Sequence, residues 1–365
     1  MKKFTQTDAF KNFASSCIAI IIGLLIGAIV IFISNSSEAV GGFTTLLGGP
    51  IEYGTVGLGR VLYYGVPIIM TGLSVGFAFK TGLFNIGTPG QFIIGAFAAV
   101  YIGVKWTFLP GSIHWIVALL GAFAAGGLWA VIPGVMKAYL NVNEVISSIM
   151  MNYIGLYLVN YSVSLTIFDS LRNQSLPVAD GAIIPKMGLD KIFEGSPANG
   201  GFFVAILFII IIYIILNKTI FGYEMKACGF NSDASKYAGI NEKRNVILSM
   251  VIAGALAGVG GGLLYLSGSG KFIEVVDVMP AEGFNGIPVA LLGLSNPIGV
   301  LFAGLFIAYL NVGGSMMQQF GFIPQIVDII ISCIIYCSAL SLMIKVWLSK
   351  RKKTKDDALI RKEEK

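Results

Sequence analysis

Apolar stretches close to the ~20 residues that an α-helix needs to cross a bilayer recur near positions 14–34, 61–79, 84–103, 113–136, 145–168, 201–217, 246–267 and 325–347. Short polar or glycine-rich segments separate them. A ninth apolar region, 284–312, is interrupted by Ser295-Asn296-Pro297. Its first part reaches only ~16 Å at 1.5 Å per residue, too short for a hydrocarbon core of ~30 Å, and reads as a half-helix. The pattern predicts an all-α membrane protein, a polytopic bundle of about ten transmembrane helices with broken half-helices.

The sharpest interruption is Lys80-Thr-Gly-Leu-Phe-Asn-Ile-Gly-Thr-Pro-Gly-Gln91. Gly costs ~1 kcal/mol and Pro ~3 kcal/mol inside a helix, so Gly82, Gly87, Pro89 and Gly90 end one helix before the next begins. In lipid, backbone freed from a helix must be buried in protein or line a wet cavity, and a break at membrane depth points to a substrate path. Gly283-Phe-Asn-Gly-Ile287 echoes Gly82-Leu-Phe-Asn-Ile-Gly87, and each introduces a segment with its own proline, Pro288 or Pro89. An inverted repeat with halves 61–168 and 246–347 would bring Asn85 and Asn285 near a shared axis at the midplane. Chance similarity in glycine-rich sequence is the competing account.

Composition sharpens this picture. Hydrophobic residues make up 56% of the 365 positions and charged residues 12%, against roughly 25% charged in soluble domains; the mean hydropathy is +0.82. Such a chain has lipid as its solvent. Small residues let transmembrane helices approach closely, and Gly254, Gly258 and Gly262 stand at that spacing within one span. The net charge of +6 does not indicate nucleic acid, because the basic residues lie between apolar runs and in the tail. Alternating the spans from an inside N-terminus puts 80–82, 137–144, 218–245 and the tail in the cytoplasm, with 19 Lys and Arg inside and six outside. That asymmetry predicts cytoplasmic N- and C-termini. It defines a transmembrane domain over 1–347 and a charged tail over 348–365 that lies against anionic membrane lipid. The first apolar run exceeds the core of a signal peptide and reads as an uncleaved helix.

The side-chain chemistry excludes more than it offers. No catalytic constellation is present. Cys333 and Cys337 share a helix face without a His or carboxylate beside them, so no metal site is expected. His114, next to Trp115, reads as an interfacial anchor. Ser267-Gly-Ser-Gly-Lys-Phe272 lacks the upstream glycine and the following hydroxyl of a phosphate-binding loop, so the chain does not hydrolyse ATP. Asp328 is the sole acid well within a span, which favours a neutral polar cargo met by amides, hydroxyls and rings. The fifth span carries Ser148, Asn152, Asn160 and Ser164 with Tyr153, Tyr157 and Tyr161 alongside. Helix–helix hydrogen bonding and lining a passage both account for that stripe. The candidate path residues are Phe84, Asn85, Gln91, Asn152, Tyr153, Phe284 and Asn285. In the loop 218–245, Asn231 caps a short helix and Gly239 closes it. That helix is either a docking element for another protein or a solvated connector.

Four ordered stretches carry a resemblance: Gly82–Gln91, Asn143-Glu-Val-Ile-Ser-Ser-Ile-Met-Met-Asn-Tyr153, the 221–240 loop and Gly286-Ile-Pro-Val-Ala-Leu-Leu-Gly-Leu-Ser-Asn-Pro-Ile-Gly299. Together they resemble bacterial ABC-transporter permeases of the branched-chain amino acid and ribose class, most closely its nucleoside-type importers. The resemblance implies a permease subunit in the plasma membrane, paired with a second permease chain in a heterodimer. It implies a cytoplasmic ABC ATPase that binds ATP and Mg, with no cofactor in this chain, and an extracellular substrate-binding lipoprotein. Lys226, Ala227, Gly229, Asn231, Ala234, Gly239 and Ile240 match the coupling-loop pattern; Lys226 replaces a usual Arg and Ser235 a usual Ala. A ribose-like sugar or an amino acid is the alternative cargo. A secondary carrier or channel working without ATP is the alternative mechanism.

Overall fold

The structure, a computed structural model, describes residues 8–339; the tail expected at 348–365 and the end of the 325–347 run lie outside the described residues. The helices are α1 (Asp8–Ser34), α2 (Ala39–Glu52), α3 (Gly54–Lys80), α4 (Thr88–Lys105), α5 (Gly111–Leu140), α6 (Glu144–Thr166), α7 (Leu189–Ile192), α8 (Gly201–Lys218), α9 (Ile220–Phe230), α10 (Ser232–Tyr237), α11 (Glu242–Tyr265), α12 (Ala281–Phe284), α13 (Gly286–Leu292), α14 (Pro297–Met316) and α15 (Gln325–Ala339). A two-stranded antiparallel hairpin, β1 (Phe168–Asp169) and β2 (Gln174–Ser175), pairs Phe168 with Ser175. Among the described residues, five helices are long and apolar enough to cross a membrane: α3, α5, α8, α11 and Pro297–Phe320. Two shorter apolar stretches are Ile20–Ser34 and Gln325–Ile334.

α1 and α3 begin six and seven residues before the runs expected from 14 and 61, and two further departures bear on packing and on the break. The run expected from 84 becomes helical only at Thr88, because Phe84–Gly87 forms the turn that carries the break. Residues 39–52, with glycines and Pro50 inside, form α2 where no helix was expected. A Cβ on Gly41 would meet Phe320 and one on Gly42 would meet Phe322. Close packing against those rings explains why glycine is accommodated in this helix despite its low propensity. The interruption expected within 284–312 is present: α13 ends at Leu292, Leu294 and Ser295 take left-handed φ, and Pro297 opens α14.

Two compact units are distinguishable, one from residues up to Gly48 together with those from Gly313, the other spanning Gly49–Val312. In the larger unit α11 packs against α3, α4 and α5. Its glycines set the spacing. A Cβ on Gly258 would lie 2.3 Å from the Ala122 carbonyl of α5, and one on Gly254 would lie 2.5 Å from the Gly126 carbonyl. On α4, a Cβ on Gly95 would lie 2.3 Å from the Gly258 Cα. The small-residue spacing therefore does what it predicts, bringing three backbones into contact. The outward faces of α5 and α8 expose Leu120, Leu128, Phe203, Leu207 and Ile210, as helices bathed in lipid do.

At one end of this unit, the Thr81 hydroxyl donates to Ser249 (2.8 Å), Lys137 pairs with Glu144 (2.9 Å), and Lys243 lies over the Tyr139 ring. This end holds 80–82, 137–144 and 218–245 together, the segments that the charge pattern groups on one side. At the other end the hairpin and 273–276 form a braced layer. Ser175 N–H donates to the Ile273 carbonyl (2.8 Å), Val275 N–H to Asn173 (3.1 Å), and Asn160 Nδ2 to the Val276 carbonyl (2.9 Å).

Candidate functional site

The α3–α4 connection is a re-entrant turn rather than a surface loop. Gly82 takes φ of +74°, and the N–H groups of Gly82 and Leu83 donate back to Phe79 and Ala78, closing α3 with a left-handed cap. The chain then doubles back. Asn85 Nδ2 lies 3.4 Å from the Ser74 hydroxyl, six residues or ~9 Å up α3 from its end at 1.5 Å per residue. α4 therefore starts inside the bundle.

Three amides hold this turn. Asn85 and Gln91 exchange two hydrogen bonds, Asn85 Nδ2 to Gln91 Oε1 (2.8 Å) and Gln91 Nε2 to Asn85 Oδ1 (3.1 Å). The same Asn85 oxygen accepts from Gly87 N–H (3.2 Å). From α6, Asn152 Oδ1 accepts from Gly90 N–H (2.9 Å) while its Nδ2 donates to the Ile86 carbonyl (2.9 Å). Gly87 and Gly90 stand at the start of α4, where N–H groups have no partner inside the helix. The side chains of Asn85 and Asn152 thus replace the missing turn. All three amides are buried, Asn85 completely. Of the two ways in which broken backbone survives in lipid, burial in protein is the one seen at this turn. Phe84 is half-buried, stacked on Phe79 at 5.4 Å.

The second break meets the first. The Thr71 hydroxyl donates to the Glu282 carbonyl (3.0 Å), and a Cβ on Gly286 would lie 2.5 Å from the Thr71 backbone. A Cβ on Gly283 would lie 2.6 Å from the Pro89 Cα. Asn285 ends α12 and begins α13, half-buried, and its neighbour Phe284 is exposed. Thr71 and Ser74, which sequence reading passed over, are the α3 groups that receive the two breaks. Their signal was available: two hydroxyls three residues apart share one face of an otherwise apolar span.

The α6 stripe divides. Ser148 and Asn152 face inward with Met151 and Gly155, whereas Tyr153, Tyr157 and Tyr161 are all more than half exposed. Asn160 turns to the Val276 carbonyl, and Ser164 donates to the Asn160 carbonyl of its own helix. Tyr153 therefore does not join Asn152 in the cluster. The buried Ser148 hydroxyl, beside Gly87, has no hydrogen-bond partner among the described residues. His114 is buried at α5, its Nε2 3.0 Å from the Ile102 carbonyl, and is an interhelical tie rather than an interfacial anchor. Among the described residues no group of three His, Cys, Asp or Glu side chains is placed to hold a metal ion.

At the opposite end of the turn lie α9 and α10. Asn231 takes extended φ and ψ, and its Oδ1 accepts from Ala234 N–H (3.0 Å), the N-cap that its sequence predicts. Gly239 has φ of +79°, and Ile240 N–H returns to the Ser235 carbonyl (3.0 Å), closing α10. Hydrogen bonding to Glu242 raises the Lys236 ammonium above its ordinary pKa. Met225 and Cys228 of α9 are buried, and a Cβ on Gly229 would lie 2.5 Å from the Lys80 carbonyl. Lys226, Ala227 and Ile240 are half-buried, while Gly229, Asn231, Ala234 and Gly239 are exposed. Phe230, the last residue of α9, and Tyr237, the last of α10, are 90% and 96% exposed.

Residues 57–339 match the family described as the branched-chain amino acid transport system permease component. The chain is 39% identical over 340 residues to the guanosine ABC transporter permease protein NupP of Bacillus subtilis, covering 92% of this chain and 95% of that one. The same organism's guanosine permease NupQ is 29% identical over 73% of this chain and 84% of its own length. The nucleoside ABC transporter permease protein NupB of Lactococcus lactis is 35% identical, covering 93% of both chains. The glucose ABC transporter permease protein TsgB13 of Haloferax volcanii is 34% identical over 76% of this chain and 75% of its own. No solved structure matches the chain.

Proposed function

This chain belongs to the branched-chain amino acid transport system permease family, and from that premise we propose that it is the nucleoside-conducting permease of an ATP-driven importer. The observation that carries the substrate class is the 39% identity to the guanosine permease NupP over nearly the full length of both chains. A permease component provides passage and no chemistry of its own. ATP and Mg belong to a partner ABC ATPase, for which α9–α10 is the docking element. A capped helix flanked by the exposed Phe230 and Tyr237, and joined to the bundle through Gly229 of α9, is the form such an element needs.

In this reading the α9–α10 end is cytoplasmic, as are both termini, and the hairpin layer faces outward toward a substrate-binding lipoprotein. The helical segments make about ten crossings of a bacterial plasma membrane, and the basic tail rests on its anionic lipid. The meeting of Gly283 with Pro89 supports taking 61–168 and 246–347 as inverted halves. A second, different permease chain completes the passage. NupP and NupQ are two guanosine ABC transporter permease proteins of one organism, and this chain is more similar to the first.

Phe84, Phe284 and Asn285 line the passage in this proposal. Asn85, Gln91 and Asn152 hold the turn beside it, and Tyr153 faces away from them. The test is uptake of radiolabelled guanosine, a simple sugar and leucine by cells carrying the whole transporter, with its ATPase intact or disabled. Guanosine uptake that disappears with the ATPase is expected. Sugar uptake alone would move the chain to a sugar importer, which its likeness to TsgB13 favours. Uptake surviving loss of the ATPase would make it a secondary carrier or channel.

A further inference from the structure

In the smaller unit, α15 is an inside-out helix. Its buried face is apolar, made by Ile326, Val327, Ile330, Ile331, Ile334 and Cys337, and it lies directly on α1. A Cβ on Gly23 would come 2.5 Å from the Ile334 Cα, and one on Gly27 would come 2.8 Å from Ile330. Its outward face carries Gln325, Asp328, Ser332 and Tyr336, all exposed and spaced by three or four residues, with Ile329 as an exposed aliphatic side chain among them. Asp328 and Tyr336 lie eight residues apart, so the stripe runs ~12 Å along the helix.

The neighbouring helix supplies the contrast. Outward positions of α1 are Ile21, Leu25, Ile29, Phe32 and Ile33, the composition that hydrocarbon selects. A carboxylate, a hydroxyl and a phenol on one face are what hydrocarbon selects against. The stripe lines an open groove of about 610 Å³ whose remaining walls are Ile26, Ile329 and Cys333, within the range of small-molecule sites, about 300–1,000 Å³.

We infer that this face of α15 borders a water-filled route for the solute, closed on its open side by the second permease chain. The inference rests on the permease reading and extends it to residues with defined chemistry. The Asp328 carboxylate accepts from the vicinal hydroxyls of a ribose, Ser332 adds a hydroxyl next along the groove, and the Tyr336 ring gives a flat surface on which a base stacks.

The test uses the assembled transporter in membrane vesicles, with Cys17, Cys228, Cys333 and Cys337 replaced by Ala and single cysteines introduced as Ser332→Cys, Tyr336→Cys and, on α1, Leu25→Cys. A charged, membrane-impermeant thiol reagent should label the two α15 positions and leave the α1 position untouched. Saturating guanosine should slow that labelling several-fold. Labelling absent at both α15 positions overturns the inference, whether they then cross-link to the second permease, as a dry seam would, or do not, as a lipid-facing helix would not. Labelling that guanosine leaves unchanged removes the solute contact. Guanosine uptake is measured in the same vesicles and in vesicles with the native cysteines: its absence from the latter counts against the nucleoside reading, while uptake without labelling counts against the α15 route alone.

Discussion

Replacing Asn152 by Leu tests the idea that three amides substitute for a missing turn of helix. Leu has the branched shape of Asn and is at home in a transmembrane helix, although its methyl groups need more room than the amide atoms they replace. What disappears are two hydrogen bonds of 2.9 Å, leaving the Gly90 N–H and the Ile86 carbonyl without their partner. An unsatisfied buried polar group costs ~1–3 kcal/mol, so the pair predicts a loss of roughly 2–6 kcal/mol. Side-chain hydrogen bonds between transmembrane helices average only ~0.6 kcal/mol, because the reference state finds other partners. Here the stranded groups are backbone in a fixed non-helical turn, which favours the larger range. Asn152→Asp keeps the acceptor for Gly90 N–H but loses the donor to Ile86, and in addition buries a charge. Asn160→Leu, on the same helix, removes a half-exposed tie to Val276 and should cost no more than ~1 kcal/mol. The assay is the thermal midpoint and denaturant resistance of the purified permease in detergent, with protease sensitivity at 83–90 as a local readout. An Asn152→Leu protein as stable as Asn160→Leu, with an uncut turn, would show that the amides do not stand in for the missing turn of helix.

Other predictions follow from the same contacts. Asn85→Leu should destabilise as well as slow uptake, since Gly87 N–H and both Gln91 groups lose partners, whereas Asn285→Leu and Phe284→Ala should lower uptake with the thermal midpoint unchanged. Phe230→Ala and Tyr237→Ala should leave permease stability within ~0.5 kcal/mol, as exposed positions do, but reduce co-purification of the ATPase and ATP-dependent uptake together. Gly258→Leu should abolish a monodisperse peak in size-exclusion chromatography, because its Cβ alone would lie 2.3 Å from the Ala122 carbonyl. Gly270→Ala, with open space around it and φ of +78°, should lose only ~1–2 kcal/mol.

Features governed by short-range rules were legible in the sequence. The Asn231 cap, the Gly239 close and the break before Pro297 rest on local backbone preferences, and the structure has each of them. Glycine spacing on α11 was equally readable, because every fourth residue shares a face. Distance from the neighbours decided the rest. α2 forms from a glycine-rich stretch because Phe320 and Phe322 fill the space its side chains lack, and propensity carries no trace of that. On α6 the amides and tyrosines lie 100° apart per residue, so a polar residue next to an aromatic one turns to a different face; Asn152 points in while Tyr153 points out. At Asn85 the sequence located the break but not its occupant. Only the fold brings Gln91 and Ser74 to its side chain.

Gly229 and Gly82 touch with no side chain between them, and Gly82 stands three residues before Asn85 in the turn where α4 begins. A thrust delivered at Phe230 has nothing compressible to absorb it before that turn. Under the proposed docking of an ATPase on α9–α10, this join is a pushrod without slack that would carry the motor's motion to the re-entrant segment. A methyl group at Gly229 would lie 2.5 Å from the Lys80 carbonyl and would force the two backbones apart.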